Sequence, residues 1–150
     1  MSEKKKGLSA REYLKQLEVL DMQINEDLIE LSDLKDSAMS TGGIDYSRER
    51  VQTSAVGDRL CSDVARYTDF DEHINTEVDR FVDAKRQIIR EIRELRDKNY
   101  IQVLTKIYVQ FKTVKTASQE MRKSYNHVVN LHSKALKEFE KKHPNLHYLT

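Results

Sequence analysis

A chain of 150 residues can bury one modest core, and with four Gly, one Pro and 34% charged residues its apolar positions recur at helical rather than alternating spacing. No apolar run reaches the roughly 20 residues that a membrane span needs, and Met1 to Gly7 lack the apolar stretch of a secretory leader. The lone Cys61 cannot form an internal disulfide, so the expected location is the cytoplasm, with no membrane partner. The net charge of +1 hides a division: residues 1–98 hold 17 Lys/Arg against 22 Asp/Glu, whereas residues 99–150 hold 9 against 3. A basic final third suits phosphate contacts, although a solvated basic face has the same composition.

Residues 1–8 read as a flexible basic leader. Ser9-Ala10-Arg11-Glu12 then forms a capping box, in which the Ser9 hydroxyl and Glu12 carboxylate can each satisfy a free N–H, with Leu8 and Tyr13 spaced for a hydrophobic staple. From Tyr13 the apolar residues Leu17, Leu20, Ile24, Leu28, Leu31, Leu34 and Ala38 follow mostly three and four apart, and Asp27 occupies a place where an apolar residue is expected. This predicts a helix to about Met39.

Ser40 to Gly57 loses the periodicity and carries Gly42-Gly43, Asp45 and Ser47, so residues 40–57 read as a connecting loop. Connections this long are commonly functional, which makes Tyr46, Arg48, Arg50 and Gln52 candidates for touching a partner; a solvated linker is the plainer reading. A second long helix is expected from about Asp58 to Arg96, on Leu60, Val64, Tyr67, Ile74, Val78, Phe81, Ile88, Ile92 and Leu95, with Asp71 and Lys85 interrupting. Such a narrow stripe resembles a coiled-coil seam. Residues 9–97 are therefore expected to form a long antiparallel helical hairpin, a coiled-coil-like arm closed on itself or on a second copy. Asp97 could cap the next helix and turn the chain; a continuous helix from Asp58 through Val109 is the alternative.

Residues 98–143 hold three short patterns in close succession: Tyr100, Val103, Leu104, Ile107 and Tyr108; Val114, Ala117 and Met121; Val128, Leu131, Ala135, Leu136 and Phe139. Small Ala117 permits close approach, and only Arg122 and Lys123 separate Met121 from Ser124, a good N-cap. The fold class expected is all-α, the arm followed by a small C-terminal helix-turn-helix domain, with residues 144–150 as a tail.

These stretches, Tyr100-x2-Val103-Leu104-x3-Tyr108, Thr113 to Met121 and Ser124-Tyr125-x-His127-Val128-x2-Leu131-His132-x-Lys134-Ala135-Leu136-x2-Phe139, resemble the sigma-factor region 4 type of helix-turn-helix. More closely the chain resembles phage and prophage late-gene transcription regulators of the ArpU/RinA type. Its Ser9 to Leu14 opening and its Asp45-Tyr46-Ser47 and Arg50-Val51-Gln52-Thr53-Ser54 segments fit as well. The resemblance implies a transcriptional activator that binds double-stranded DNA near a promoter and acts with host RNA polymerase. The chain departs from that pattern at Ala117-Ser118, where relatives carry an Ile-Ala pair, and at Asn130, where they often carry a base.

Helix geometry assigns the roles. With Ser124 as N-cap, Tyr125, Asn126 and His127 fall in the first turn of the recognition helix and Asn130 one turn on, the portion that enters a major groove. Asn126 and Asn130 can pair bidentately with an adenine edge. Lys112, Lys115, Arg122, Lys123, Ser124 and Lys134 are placed for phosphate contacts. His127 and His132 are five apart, not the four of a helical metal pair, His143 and His147 straddle Pro144 beyond the expected helix end, and no cofactor motif or acid-base set suggests an enzyme. The alternatives are a protein-interaction module that docks on RNA polymerase or another regulator with little DNA binding of its own, and a purely structural coiled coil. A homo-oligomer, most simply a dimer, is expected because a lone hairpin leaves one side of each long helix uncovered.

Overall fold

The computed structural model describes residues 7–40 and 53–149, with side chains described at 7–37 and 65–149. Every described element is helical: α1 (Ala10–Ser40), α2 (Thr53–Arg93), α3 (Lys98–Leu104) continued by a π-turn (Thr105–Val109), α4 (Val114–Met121) and α5 (Tyr125–Lys142). Among the described residues no helix is long and apolar enough to cross a membrane. The expected partner-touching residues Tyr46, Arg48, Arg50 and Gln52 lie outside the described residues.

Local chemistry sets most boundaries. At the start of α1 the Glu12 N–H donates to Ser9 Oγ at 3.2 Å and the Ser9 N–H to Glu12 Oε2 at 3.4 Å, the reciprocal pair of a capping box. Helix α2 begins at Thr53, earlier than Asp58, so residues 53–57 of the expected loop are helical. Apolar periodicity reports which face is packed and is blind to a helical stretch that lacks an apolar stripe. Arg96 takes a left-handed conformation (φ 64°) beyond the end of α2, and Asp97 accepts from the Asn99 and Tyr100 N–H groups as N-cap of α3. The continuous helix through Val109 is thereby excluded.

The chain divides into two compact units: residues 1–21 with 80–150, and residues 22–79. This differs from an arm over 9–97 and a separate domain over 98–143, because the ends of both long helices are core elements of the first unit. There Leu14 and Leu17 of α1, Ile88 and Ile92 of α2, Val103 and Leu104 of α3, Ala117 of α4, and Val128, Ala135 and Phe139 of α5 join one cluster, all without exposed surface. Near this end α1 buries Ala10, Tyr13, Leu14, Gln16 and Leu17, a face much wider than a two-stranded seam.

The leader and tail are also tied into the first unit. The Leu8 N–H donates to the Leu146 carbonyl at 2.8 Å, Leu146 is buried, and the Leu149 N–H donates to Gln16 Oε1 at 2.9 Å. A Cβ on Gly7 would stand 3.2 Å from the Leu146 carbonyl oxygen, so a side chain there would crowd this junction. The described end of the 1–8 leader is thus packed, and 144–149 is more than a trailing tail.

In the second unit the buried apolar residues described are Ile24, Leu31 and Ile74. Leu28 is 46% and Val78 37% exposed, although both were expected in the seam. Asp27 and Glu77, one position before each, are the partly buried residues, and these two acids face one another.

Candidate nucleic-acid interface

The face most suited to a linear polyanion is built by α4, the turn after it and the first half of α5. Thr113 accepts the Thr116 N–H at 3.2 Å to start α4. The helix closes on Arg122, whose φ of 55° is left-handed, with Arg122 N–H donating to Gln119 O and Lys123 N–H to Ser118 O at 3.0 Å. This pair of bonds is a Schellman closure, and it turns the backbone sharply enough for a second helix to begin two residues later. Ser124 then accepts the His127 N–H at 3.2 Å as N-cap of α5. Neither α4 nor α5 has an acid in its first turn, so nothing there opposes an approaching anion.

Side-chain directions follow from the helical period. Val128, Ala135 and Phe139 are fully buried and Leu131 is half-buried, which fixes the rotation of α5 about its own axis. The remaining face carries Tyr125, Asn126, His127, Asn130 and Lys134, all exposed. The expected base-reading residues therefore share the outward side of the N-terminal turns, joined by Val129, which is 39% exposed.

The expected phosphate-facing residues separate into two groups. Lys115, Arg122 and Lys134 are exposed and Lys123 half-exposed, and none of these side chains has an ion pair among the described residues. Ser124 uses its oxygen as the cap acceptor and keeps its O–H free to donate. Lys112 differs: its ammonium holds Glu120 Oε1 at 2.6 Å, while Lys106 holds Glu120 Oε2 at 2.7 Å. These two hydrogen bonds keep the Glu120 carboxyl below the usual carboxylate range. Sequence spacing could not show this, since the three residues come from the π-turn, its exit and α4.

Behind the face, Tyr108 braces α5. The π-turn directs its ring onto His132, with centroids 5.5 Å apart, and its hydroxyl lies 2.7 Å from His132 Nε2. The Arg11 guanidinium approaches the Tyr108 hydroxyl, and burial, then the Arg11 charge, lowers the His132 pKa. His132 is a half-buried strut. At the far end of α5, Tyr13 packs on Phe139 with centroids 5.9 Å apart and donates to Glu91 Oε2 at 2.7 Å; burial, then that carboxylate, pushes its phenol pKa up. His143 contacts the Glu91 carbonyl and the Glu94 carboxylate, each at 3.3 Å.

Among the described residues, Asp27, His73 and Glu77 are the group whose ligand atoms converge as a metal ion requires. Sequence reading missed it, though Asp27 in an apolar position was the available signal. No family model matches the chain, and neither a curated protein nor a solved structure is found to be similar to it.

Proposed function

We propose that this chain is a sequence-specific DNA-binding transcriptional regulator, an activator of phage late genes that works with host RNA polymerase, in which α4 and α5 act as a region 4-like helix-turn-helix. The observation that carries this reading is the two-sidedness of α5: a fully buried apolar stripe sets its rotation, while Tyr125, Asn126, His127 and Asn130 stand together on the outward side of its first turns. Rigid placement of a few amide and aromatic side chains is what readout of base edges requires. Lys115, Arg122, Lys123 and Lys134 flank that side without internal ion pairs among the described residues, and they supply the phosphate contacts. The long helices serve as a hairpin arm through which two copies pair. Exposed Val19, Met22 and Ile29, spaced three and seven apart on α1, support that pairing.

The test is selection from a random DNA library by the purified protein at about 150 mM salt, where non-specific binding fades. A discrete motif that Asn126→Ala degrades is expected, with half-sites about one helical turn apart for a dimer. Absence of any enriched motif would sink the reading.

A specific observation favours one other reading, docking on polymerase with little DNA binding. Tyr125 and Val129 put apolar surface in the middle of the outward face, and Lys106 and Lys112 are spent on Glu120. Charge reversal at Arg122 and Lys123 separates the two: it abolishes DNA binding under the first reading and leaves polymerase binding intact under the second.

A further inference from the structure

The second unit contains an arrangement that packing alone does not account for. Along α1 the seam positions Ile24 and Leu31 are buried, and the position between them is Asp27; along α2, Ile74 is buried and the next inward position is Glu77. Two carboxylates thus meet in the apolar seam, with side-chain exposures of 24% and 18%. Apolar residues were at hand, since Leu28 and Val78 adjoin them and point outward. Facing carboxylates in a poorly solvated seam repel one another unless a positive charge lies between them or one takes up a proton.

His73 brings a third donor to the same point. It precedes Glu77 by four residues, the spacing that puts two ligands on one face of a helix. His73 Nε2 lies 2.9 Å from Glu77 Oε1 and 3.6 Å from Asp27 Oδ2, and ligand atoms of all three residues lie within 4.8 Å of one another. Donors about 2.0–2.2 Å from a tetrahedral ion stand roughly 3.3 Å apart, so the observed separations bracket what a shared cation requires with only small rotamer adjustments. The other Glu77 oxygen, Oε2, is buried and receives no hydrogen bond. The His73 side chain is 57% exposed, which leaves a path from solvent.

We propose that Asp27, His73 and Glu77 bind one divalent transition-metal ion of the Zn2+ type across α1 and α2. The mixed nitrogen and oxygen donor set favours Zn2+ over Ca2+ or Mg2+, which prefer oxygen alone. Three protein donors leave a fourth position for water or a partner's side chain. Metal ions and protons compete for the same ligand atoms, so uptake releases protons.

The experiment is titration of the purified full chain, stripped with EDTA, with ZnCl2 by calorimetry in two buffers of different ionisation enthalpy. Thermal unfolding with and without Zn2+, and visible absorption with Co2+, accompany it. One saturable ion per chain, with proton release and a raised midpoint, is expected. His73→Gln and Glu77→Gln should each weaken uptake roughly ten-fold or more and remove the Co2+ signature, while His147→Gln leaves both unchanged. His73 is exposed, so its variant folds and reports on the metal rather than on packing. Absence of saturable uptake at millimolar Zn2+ overturns the proposal. Uptake that survives His73→Gln and Glu77→Gln, or that depends on His147, overturns it equally.

Discussion

At the scale of single residues, Arg122 serves the backbone and the surface at once. Its left-handed φ is a conformation that costs a side-chain-bearing residue about 1 kcal/mol and glycine nothing. Arg122→Gly should therefore raise stability by up to about 1 kcal/mol in urea unfolding while weakening DNA binding, with a salt slope lower by about one ion. A stability gain with undiminished DNA affinity would remove Arg122 from the interface. Ser124→Ala removes the cap of α5 and should cost about 1 kcal/mol, checked by the same unfolding curves. His132 makes an acid-side prediction. Its folded pKa lies below the ordinary 6.5, so the unfolded chain binds the proton first and stability, full above that value, is lost as pH falls through 6.5 toward the folded pKa. Unfolding midpoints measured from about pH 7.5 down to about pH 5 should fall more steeply for the wild type than for His132→Gln, whose amide can still hydrogen-bond the Tyr108 hydroxyl as donor or acceptor. Parallel curves would show that burial does not lower the His132 pKa.

At the scale of elements, the five helices differ in how far their sequences announced them. Caps were legible because Ser9, Asp97 and Ser124 act on N–H groups two or three residues away, a range the linear sequence displays. The division between Met121 and Ser124 was legible for the same reason. What the sequence hid came from distant segments. Lys106, Lys112 and Glu120 are joined only by the fold, and Asp27 and Glu77 became inward residues because the partly buried face of each helix is one position away from the face that Leu28 and Val78 suggested. Apolar pattern marked Asp27 as out of place but could not reveal Glu77, since it assumes that an acid faces water. The Glu120 pairing predicts that Glu120→Gln frees two lysines beside α4 and strengthens non-specific DNA binding several-fold at low salt, with a steeper salt dependence. Unchanged binding would place Lys106 and Lys112 away from the phosphates. Phe139, fully buried and packed on Tyr13, holds α5 to α1, and Phe139→Ala should cost about 3–5 kcal/mol in urea unfolding and abolish DNA binding with it.

For the whole molecule, the first unit is assembled from segments far apart along the chain. The Ala10 N–H donates to Glu140 Oε1 at 2.9 Å across 130 positions, and Gln16 accepts from Leu149 across 133. Ending the chain at His143 exposes the seat of Leu146 and should lower stability by about 2 kcal/mol, read as a lower melting temperature. An unchanged melt would reduce that junction to a surface contact. The same closure has a consequence for synthesis on the ribosome. Translation makes the opening of α1 more than a hundred residues before its partners in α5 and beyond, so its buried Tyr13, Leu14 and Leu17 must wait without their native cover. Residues 22–79 are one uninterrupted segment and can settle as soon as they emerge, whereas the face that carries Asn126 takes its final form only after residues 139–149 have left the exit tunnel. Nascent copies thus lack the finished face of α4 and α5 until synthesis has passed that point.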